Sequence, residues 1–464
     1  MSDTPQVLAL FRDAASSVPA YARFLHDNGI DPAAVDEASA IPLMTKAGYH
    51  QRYPLPDRCR GGRLDAAAVV ALSSGSSGQP TVWPRSEPDE LPVIARFEQV
   101  FRDGFRAAER STLAVVCFAL GNWVGGMYTV AACRKLAASG YRITVAAPGN
   151  DIDEILRVVE ELGGHYDQTV LLGYPPFVKN IIDAGIARGV DWSAYDIKLV
   201  LAGEVFSEQW RDLVAGRAGI ADPETAIAAL YGTADAGVLG NETPLSVRIR
   251  RFLAERPDIS SKVFGDSRLP TLVQYDPVAR LFEAMPDGTL TFSADGTVPL
   301  VRYHIADEGG VLPFDEFMAT CRDHGFDPGE GPDLPFVYVF GRSLFTVSFF
   351  GANVYPENIT VGLERPEISG WTTGRFVLRT VDDANQDRRL SVVVELAPGA
   401  EASEQRRVLA AESIRAVLLR LNSEFAHYVP AAYRTPQVEL RPADDPEFFP
   451  RGVKHRYTRP PVSS

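Results

Sequence analysis

The sequence predicts an α/β protein with two domains, a large one over residues 1–340 and a smaller α+β one over residues 341–464. Short apolar runs alternate with amphipathic segments through the first half of the chain, which is typical of mostly parallel sheets flanked by helices. Near residue 265 the pattern changes to short strand-like runs joined by turns such as Pro286-Asp287-Gly288. We therefore expect a β-rich subdomain at about residues 265–340.

Helical periodicity begins near the N-terminus, where Leu8, Phe11, Ala15 and Val18 are spaced along one side of a helix over residues 6–30. Further helices are expected at residues 92–108, 151–163, 174–188 and 207–216. The strands expected in the large domain cover residues 68–72, 112–118, 142–146, 169–172, 198–202, 272–275, 281–283, 289–292 and 300–303. Those of the smaller domain cover residues 345–350, 375–381, 390–396 and 436–441, with a long helix at 403–426. The tail from Pro442 is rich in proline and charge and is expected to be mobile.

Composition excludes several classes of protein. The 464 residues carry a formal net charge of −14, which argues against nucleic acid or an anionic membrane surface as the main partner. The four cysteines lie far apart in the sequence, so neither a disulfide framework nor a zinc site is indicated. The N-terminus lacks the basic and apolar regions of a secretory signal, and we expect a cytoplasmic protein.

Residues 111–133 carry no charge and are long enough to span a bilayer. Two glycine-containing interruptions, Gly121-Asn122 and Gly125-Gly126, lie in the middle of this stretch. We interpret it as a strand, a glycine turn and the start of a helix, and we expect no membrane span.

Residues 73–81 read Ser-Ser-Gly-Ser-Ser-Gly-Gln-Pro-Thr and follow the apolar run 69–72. Glycines let a backbone wrap closely around a ligand, and successive N–H and hydroxyl groups offer several donors to an anion such as phosphate. This pattern predicts a phosphate-binding loop after a buried strand. The alternative interpretation is a flexible Gly/Ser linker.

Lysine is rare in this chain, since it supplies six of the 46 basic residues, and Lys454 is the only lysine after Lys262. This isolation makes Lys454 a candidate functional residue, with a solvated tail lysine as the alternative.

Five further segments form a pattern when they are considered together with the loop and in chain order. They are Ile41-Pro42-Leu43-Met44-Thr45-Lys46, Tyr231-Gly232-Thr233-Ala234-Asp235, the run 299–307 that ends in Asp307, Gly341-Arg342-Ser343 with 349–356, and Gly452-Val453-Lys454. In this order they resemble the adenylate-forming (acyl-CoA synthetase) superfamily, and specifically its phenylacetate–CoA ligase branch. The resemblance covers nearly the whole chain.

The resemblance implies an enzyme that activates a small, aromatic or other carboxylic acid with ATP and Mg²⁺ as an acyl-adenylate and passes the acyl group to coenzyme A. A carboxylate is a poor electrophile, and joining it to AMP supplies a good leaving group. Such an enzyme has to hold two anions together and offset their charge. The resemblance also implies that the small domain is mobile, and it adds a homodimer as an expectation.

The resemblance also implies roles for individual residues. The phosphate loop would consist of Ser73, Ser74, Gly75, Ser76, Ser77 and Gly78. Thr233 would bind the α-phosphate, Tyr231 would stack on adenine, and Asp307 would accept the ribose hydroxyls. Arg342 would reach the ribose or phosphate, Asp235 would lie at the magnesium, and Lys454 would be a mobile catalytic cation. Two further groups of residues each share a role: the nucleotide side would be lined by Gly203, Glu204 and Gly232, and the wall of the acid pocket would consist of Gly121, Asn122, Trp123, Gly125 and Gly126.

Several positions depart from the pattern of this family. Gln79 replaces a lysine of the phosphate loop, for which Arg85 is a candidate substitute, and Asp235 replaces a glutamate. Leu344 and Phe345 replace two acids, and Phe350 replaces an arginine. Two alternatives therefore stay open: an adenylating enzyme that uses an amine or activates nitrite instead of using CoA, and a non-catalytic nucleotide-binding homologue.

Overall fold

The computed structural model describes residues 4–73, 81–266, 268–342, 346–450, 457–459 and 462–463. The described residues form two compact units, one within residues 1–73 and 81–341 and the other within residues 342–464. We call them the large unit and the small unit and describe each by itself.

The helices of the large unit alternate with its strands over most of its length, as the sequence predicts. They are α1 Thr4–Ser17, α2 Pro19–Asp27, α3 Leu55–Arg58, α4 Glu87–Gln99, α5 Val124–Ala138, α6 Ile152–Leu162, α7 Pro175–Arg188, α8 Glu208–Ala218, α9 Pro223–Ala226, α10 Pro244–Glu255, α11 Pro257–Phe264 and α12 Phe314–Asp323.

The strands of the large unit are β1 Val69–Ser73, β2 Thr81–Arg85, β3 Thr112–Val116, β4 Ile143–Ala146, β5 Gln168–Gly173, β6 Ile197–Ala202, β7 Ile227–Thr233, β8 Gly237–Asn241, β9 Thr271–Gln274, β10 Leu281–Ala284, β11 Thr289–Ala294, β12 Leu300–Leu312 and β13 Phe336–Arg342. The first two form an antiparallel hairpin. The others form an eleven-stranded sheet in the order β10-β11-β12-β13-β9-β8-β7-β6-β5-β3-β4. The predicted α/β class is confirmed.

Parallel pairing runs through one part of the sheet, from β4 through β3, β5 and β6 to β7. These strands are mostly apolar, as expected for parallel strands that are covered on both faces, and all six residues of β5 are buried. Beyond β7, the pairs β7–β8, β8–β9, β9–β13, β10–β11 and β11–β12 are antiparallel, and they include the hairpins of the expected β-rich region. Residues 111–133 form β3, a turn and the first two-thirds of α5. Within the described residues, no helix combines the length and the apolar character that a bilayer crossing requires.

One predicted helix, over residues 6–30, is interrupted at Val18. That residue is extended (φ −117°, ψ 106°), and the chain starts a second helix at Pro19. The residue before a proline is disfavoured in the helical region, whereas proline suits the first position of a helix. Periodicity alone did not reveal this break.

The small unit is a compact α+β structure. It contains β14 Val347–Phe349, β15 Ala352–Val354, α13 Pro356–Leu363, α14 Pro366–Ser369, β16 Thr372–Asp382, β17 Arg388–Leu396, α15 Glu404–Leu421, α16 Ser423–Tyr428, β18 Gln437–Arg441 and β19 Val462–Ser463. A four-stranded sheet has the order β18-β17-β16-β19. The predicted helix over residues 403–426 is divided at Asn422, whose side chain accepts a hydrogen bond from the Phe425 N–H and caps α16.

The prediction of a mobile tail from Pro442 is wrong for residues 442–450. Phe448 and Phe449 are buried in a cluster with Val377 and Val393 of the sheet. The Asp445 carboxylate accepts a hydrogen bond from the backbone N–H of Phe448 and fixes the turn that presents the two rings. The prediction rested on the average composition of the tail, which did not reveal that Phe448 and Phe449 pack into the core of the small unit.

The four cysteines are free, and all are buried: Cys59, Cys117, Cys133 and Cys321. Burial raises the pKa of the Cys133 thiol to about 12 and that of Cys321 to about 11.

Candidate active site

The carboxyl ends of two neighbouring parallel strands bring two predicted segments together. Gly203 follows β6, and Tyr231-Gly232-Thr233 ends β7, with Ala202 paired to Leu230 in the sheet. Gly203 has a φ of +89°, a conformation that favours glycine. Ligands of open α/β sheets bind in the crevice outside these strand ends, so this edge is the candidate site. Glu204 is half-buried beside it.

Tyr231 and Asp307 are joined directly, although 76 positions separate them. The Tyr231 hydroxyl donates a hydrogen bond of 2.7 Å to Oδ2 of Asp307. The Tyr231 ring lies nearly parallel to Phe282, with 6.3 Å between the ring centroids, and Asp307 is buried. The Tyr231 ring and the Asp307 carboxylate therefore lie next to each other at this strand edge.

The same strand that carries Asp307 also holds Asp235. Tyr303, four residues before Asp307 in β12, donates a hydrogen bond of 2.6 Å from its hydroxyl to Oδ2 of Asp235. Tyr303 is fully buried and Asp235 is 6% exposed. Strand β12 thus fixes the position of the predicted magnesium residue and provides the predicted ribose residue.

Two buried arginines hold the backbone around Asp235. Arg85 donates to the carbonyl oxygens of Ala234 and Asp235, and Arg280 donates to that of Ala236 at 3.1 Å. Burial first, and then the charge of Arg85, lowers the pKa of Arg280 to about 10. Arg85 is thus engaged with the backbone of the 231–235 segment. Thr233 is buried, and its Oγ1 accepts a hydrogen bond from the Ala236 N–H, so this hydroxyl shapes the turn and retains a proton to donate.

A buried ion network lies against β7. Arg211 is fully buried and donates to Glu208, to Glu242 and to the carbonyl oxygen of Ile227. The Glu242 carboxylate also accepts a hydrogen bond of 2.8 Å from the Ala229 N–H. Burial opposes ionisation of Glu208, but the charges of Arg211 and Arg250 outweigh it, so the pKa of Glu208 is lower than usual. These bonds brace the strand that presents Tyr231 and Thr233.

Ser73, the first residue of the predicted phosphate loop, ends β1 and is buried. Its Oγ accepts a hydrogen bond of 3.1 Å from Trp83 Nε1 and one of 3.3 Å from Lys46 Nζ. The preceding residue, Leu72, donates its N–H to the carbonyl oxygen of Asn122 and forms a parallel bridge with Trp123. The structure therefore brings the predicted pocket segment next to Ser73.

Lys46 is held by the segment that resembles the family's N-terminal motif. It begins a single π-helical turn, Lys46–His50, whose preceding residue Thr45 caps it through a bond from the Gly48 N–H. Met44 pairs with β12, since its N–H donates to the Arg302 carbonyl and its own carbonyl accepts from the His304 N–H. One strand thus positions Lys46, Asp235 and Asp307.

Each glycine of the predicted acid pocket occupies a position where the local structure favours a residue without a side chain. Gly121 adopts a φ of +91° in the turn before α5. A Cβ on Gly126 would lie 2.2 Å from the Ala119 carbonyl oxygen, so close backbone packing requires this glycine. A Cβ on Gly125 would meet Phe118 and the Tyr174 hydroxyl. Trp123 is buried at the N-terminus of α5.

Some predicted site residues cannot be placed. Ser74, Gly75, Ser76, Ser77, Gly78 and Lys454 lie outside the described residues. Arg342 is described by its backbone alone, as the last residue of β13. Their roles stay predictions.

Three crystal structures of 2-hydroxyisobutyryl-CoA ligase are similar to this chain. The structure in complex with 2-HIB-AMP and CoA has a TM-score of 0.67 and 15% sequence identity, and the match covers 99% of this chain and 90% of that one. The postadenylation complex with R3-HIB-AMP has a TM-score of 0.56 and 16% identity over 98% and 88% of the two chains. An open conformation has a TM-score of 0.55 and 16% identity over 98% and 90%.

This chain has the adenylate-forming ligase fold. No protein-family model matches the sequence, and no curated protein matches it. At such low sequence identity the similarity concerns the fold, and the chemistry has to be argued from the residues of the site.

Within this fold, sequence reasoning missed Trp83 and Tyr303 as site residues and did not assign Lys46 a role. Its position in the sequence could have indicated Trp83 as a site residue, since it lies two residues beyond the serine-glycine run. For Tyr303 the sequence offered no such indication, because its bond to Asp235 joins residues 68 positions apart. Lys46 was quoted only as part of a motif, and its contact with Ser73 depends on the pairing of Met44 with β12.

The residues present fit a magnesium ion that arrives with a nucleotide. Among the described residues, no group of three or more histidines, cysteines or acids is arranged to hold a metal by itself. Mg²⁺ in nucleotide sites is usually bound by one or two carboxylates together with phosphate oxygens and water. Asp235, a lone buried carboxylate fixed by Tyr303, is a donor of this kind.

Proposed function

We propose that this protein is an AMP-forming ligase of the phenylacetate–CoA ligase-like branch. In this proposal it activates a small, aromatic carboxylic acid with ATP as an acyl-adenylate and transfers the acyl group to coenzyme A. The observation that carries the proposal is that β12 provides Asp307, which is bonded to Tyr231, and Tyr303, which is bonded to Asp235, and also pairs with Met44 of the segment whose Lys46 contacts Ser73. The resemblance assigns adenine, ribose, magnesium and phosphate to Tyr231, Asp307, Asp235 and Ser73, in that order.

Each residue has a task in the first half-reaction. A carboxylate accepts about four hydrogen bonds, so Asp307 binds ribose hydroxyls beside the bond from Tyr231, whose ring stacks on adenine. Asp235 would hold Mg²⁺, which offsets the charge of the phosphates. Ser73 donates to the phosphate tail, and Lys46, whose ammonium lies 3.3 Å from Ser73 Oγ, supplies a cation at the loop where Gln79 replaces the family's lysine.

The acid attacks the α-phosphorus with one carboxylate oxygen, a new P–O bond forms, and the bond to pyrophosphate breaks. Attack requires two anions to approach each other, so positive charge has to lie near them. We assign this task to Lys454, as the resemblance does. The thiol of CoA then attacks the acyl carbon, and AMP leaves.

Pyrophosphate release with a panel of aromatic and aliphatic acids, with and without CoA, tests the proposal. We expect pyrophosphate release that depends on one class of acid, formation of a thioester with CoA, and loss of both activities in Lys454→Ala and Asp307→Asn. Tight ATP binding without turnover for any acid would contradict the proposal and favour a non-catalytic nucleotide-binding protein.

A second candidate keeps adenylation and changes the acceptor to an amine or, with nitrite as the activated acid, an aryl amine. The observation that favours it is Phe350, which stands where the family has an arginine. Phe350 is fully buried between Phe349 and Tyr433, each with its ring centroid 4.9 Å away, so this position carries no charge where the family has a cation. AMP formation that requires an amine or nitrite and is indifferent to CoA would establish this candidate.

A further inference from the structure

The hydroxyl oxygen of Ser73 is approached by two groups that can only donate hydrogen bonds. Trp83 Nε1 lies 3.1 Å from it and Lys46 Nζ lies 3.3 Å from it. Neither an indole N–H nor an ammonium can accept a hydrogen bond, and a hydroxyl has two acceptor lone pairs and one proton. Both lone pairs of Ser73 Oγ are therefore occupied.

The direction of the remaining proton follows from this geometry. Within the part of the chain that the structure describes, no acceptor receives the Ser73 proton, and the residue is buried at the end of β1. A buried hydroxyl that is fixed as a donor requires a partner with lone pairs and no proton. Phosphoryl oxygens of a triphosphate have this character, whereas a neutral donor would leave the proton unpaired.

We propose that Trp83 is a positioning residue for triphosphate binding, because its indole N–H orients the Ser73 hydroxyl so that the proton points to a phosphoryl oxygen. This inference rests on the proposed function and deepens it. Trp83 does not touch the ligand in this proposal. It acts through Ser73, and it lowers the cost of ordering that hydroxyl when ATP binds.

The β1–β2 hairpin explains why a tryptophan at position 83 reaches Ser73. Ser73 pairs with Thr81 and Trp83 pairs with Ala71, so Trp83 lies diagonally across from Ser73 on the same face of the hairpin. The small side chain of Ala71 leaves space for the indole, and Trp83 is 1% exposed.

A neutral histidine packs against the indole. The His50 ring lies 4.4 Å from the Trp83 ring between centroids. Arg58 Nη1 is 3.0 Å from His50 Nδ1, and since arginine only donates, Nδ1 accepts and Nε2 carries the proton. Arg58 and Tyr303 are buried beside His50, and the Tyr303 hydroxyl donates to Asp235.

The test measures nucleotide affinity by titration calorimetry in the full-length protein. The probes are AMP and an ATP analogue with a methylene group between its α- and β-phosphorus atoms, both with magnesium. The variants are Trp83→Phe, Ser73→Ala and the double variant. The matched control is Trp192→Phe, which removes another buried indole bond, from Trp192 Nε1 to the Ile182 carbonyl oxygen at 3.0 Å.

We expect Ser73→Ala to weaken binding of the ATP analogue on the order of 10- to 100-fold, since it removes a hydrogen bond to a charged group. Trp83→Phe should weaken it about 3- to 10-fold through lost pre-organisation. Both variants should keep the affinity for AMP, which also shows that they are folded. The double variant should match Ser73→Ala, because the indole then has no hydroxyl to orient.

The outcomes separate this inference from the proposed function. Failure of the unaltered protein to bind the ATP analogue overturns both. An affinity for the analogue that Trp83→Phe leaves unchanged overturns the role of Trp83 alone. An equal weakening by Trp83→Phe in the unaltered protein and in the Ser73→Ala background overturns it too. So does an equal loss of AMP and analogue binding in Trp83→Phe, since that result indicates a packing defect.

Discussion

The Tyr231 hydroxyl donates a 2.7 Å hydrogen bond to Oδ2 of Asp307. Tyr231 lies near the end of β7 and Asp307 lies in β12, four strands away in the sheet order, so the bond ties two different parts of the large sheet together. Hydrogen bonds to charged groups contribute more than neutral ones. The bond therefore has a structural value besides any role in nucleotide binding.

Tyr231→Phe should destabilise the large unit and weaken nucleotide binding. The change keeps the ring and removes the hydroxyl, so the buried Asp307 carboxylate loses one donor. Hydrogen bonds to charged groups are worth about 1.5–3 kcal/mol, and we expect a loss of that size in the free energy of unfolding, measured by urea denaturation.

Tyr141→Phe is the matched control for this change. The Tyr141 hydroxyl also donates to a carboxylate, Glu98 Oε1 at 2.9 Å, but this pair is partly exposed to solvent. Water replaces the lost bond there, so a smaller effect is expected. Equal effects of the two variants would show that burial of Asp307 is not what gives the Tyr231 bond its strength.

Glu242→Gln should destabilise the protein by about 3 kcal/mol, because removing one partner of a buried ion pair leaves the other charge uncompensated. Arg211 would keep Glu208 as a partner, so the expected loss of unfolding free energy lies at the low end of the range for broken buried ion pairs. The double variant Arg211→Met/Glu242→Met leaves the Glu208–Arg250 pair in place and should be less destabilised than Glu242→Gln. A double variant that is less stable than the single one would contradict this account of the network.

Stability should fall as the pH falls below about 6.5, and His50 should be one cause. Burial first, and then the charges of Arg58, Lys46 and Arg85, hold the pKa of His50 well below 6.5. The unfolded chain binds this proton at a higher pH than the folded one, so the stability that His50 contributes is present above pH 6.5 and is lost as the pH falls towards the folded pKa.

The slope from this one proton is about 1.4 kcal/mol per pH unit below 6.5. His50→Gln should flatten the pH dependence of the free energy of unfolding between pH 7 and 5 by that amount. The exposed His26, changed to Gln in parallel, controls for removing an imidazole from the unfolded chain. An unchanged slope in His50→Gln would show that the folded protein protonates His50 readily.

Gly126→Ala should destabilise the protein, although alanine is normally the better residue within a helix by about 1 kcal/mol. The new Cβ would lie 2.2 Å from the Ala119 carbonyl oxygen, so the backbone has to shift at a cost of about 1–3 kcal/mol. Gly164→Ala is the control, since its Cβ would meet nothing within 4 Å. Thermal unfolding of both variants measures the difference, and a stabilised Gly126→Ala would show that α5 can move away from the turn.

The fold class and most strands of the large sheet were predictable because local patterns encode them. The runs of β3, β5 and β6 are mostly apolar, and a strand with both faces covered has such a run whatever its partners are. The breaks at Val18 and Asn422 were missed because a short interruption does not disturb the hydrophobic period, and the burial of Phe448 was missed because composition was averaged over the tail.

The candidate site was predictable only as separate segments. Motif order singled out Tyr231, Asp235 and Asp307 as candidates, but their hydrogen bonds depend on which strand lies beside which and on the positions of Tyr303 and Met44 along β12. Trp83 illustrates the limit most clearly, since its bond to Ser73 follows from the register of a hairpin. Register is fixed by the fold and is not written in the spacing of a motif.

The inaccessible thiols make this protein suitable for selective chemical labelling. A maleimide dye reacts with thiolates at the surface, and the four native sulfur atoms are shielded from it by the cores in which they lie. A single cysteine introduced at an exposed position of each unit would carry a donor and an acceptor fluorophore without any prior removal of native residues. Energy transfer between the two dyes could then be followed while ATP, an acid and CoA are added in turn.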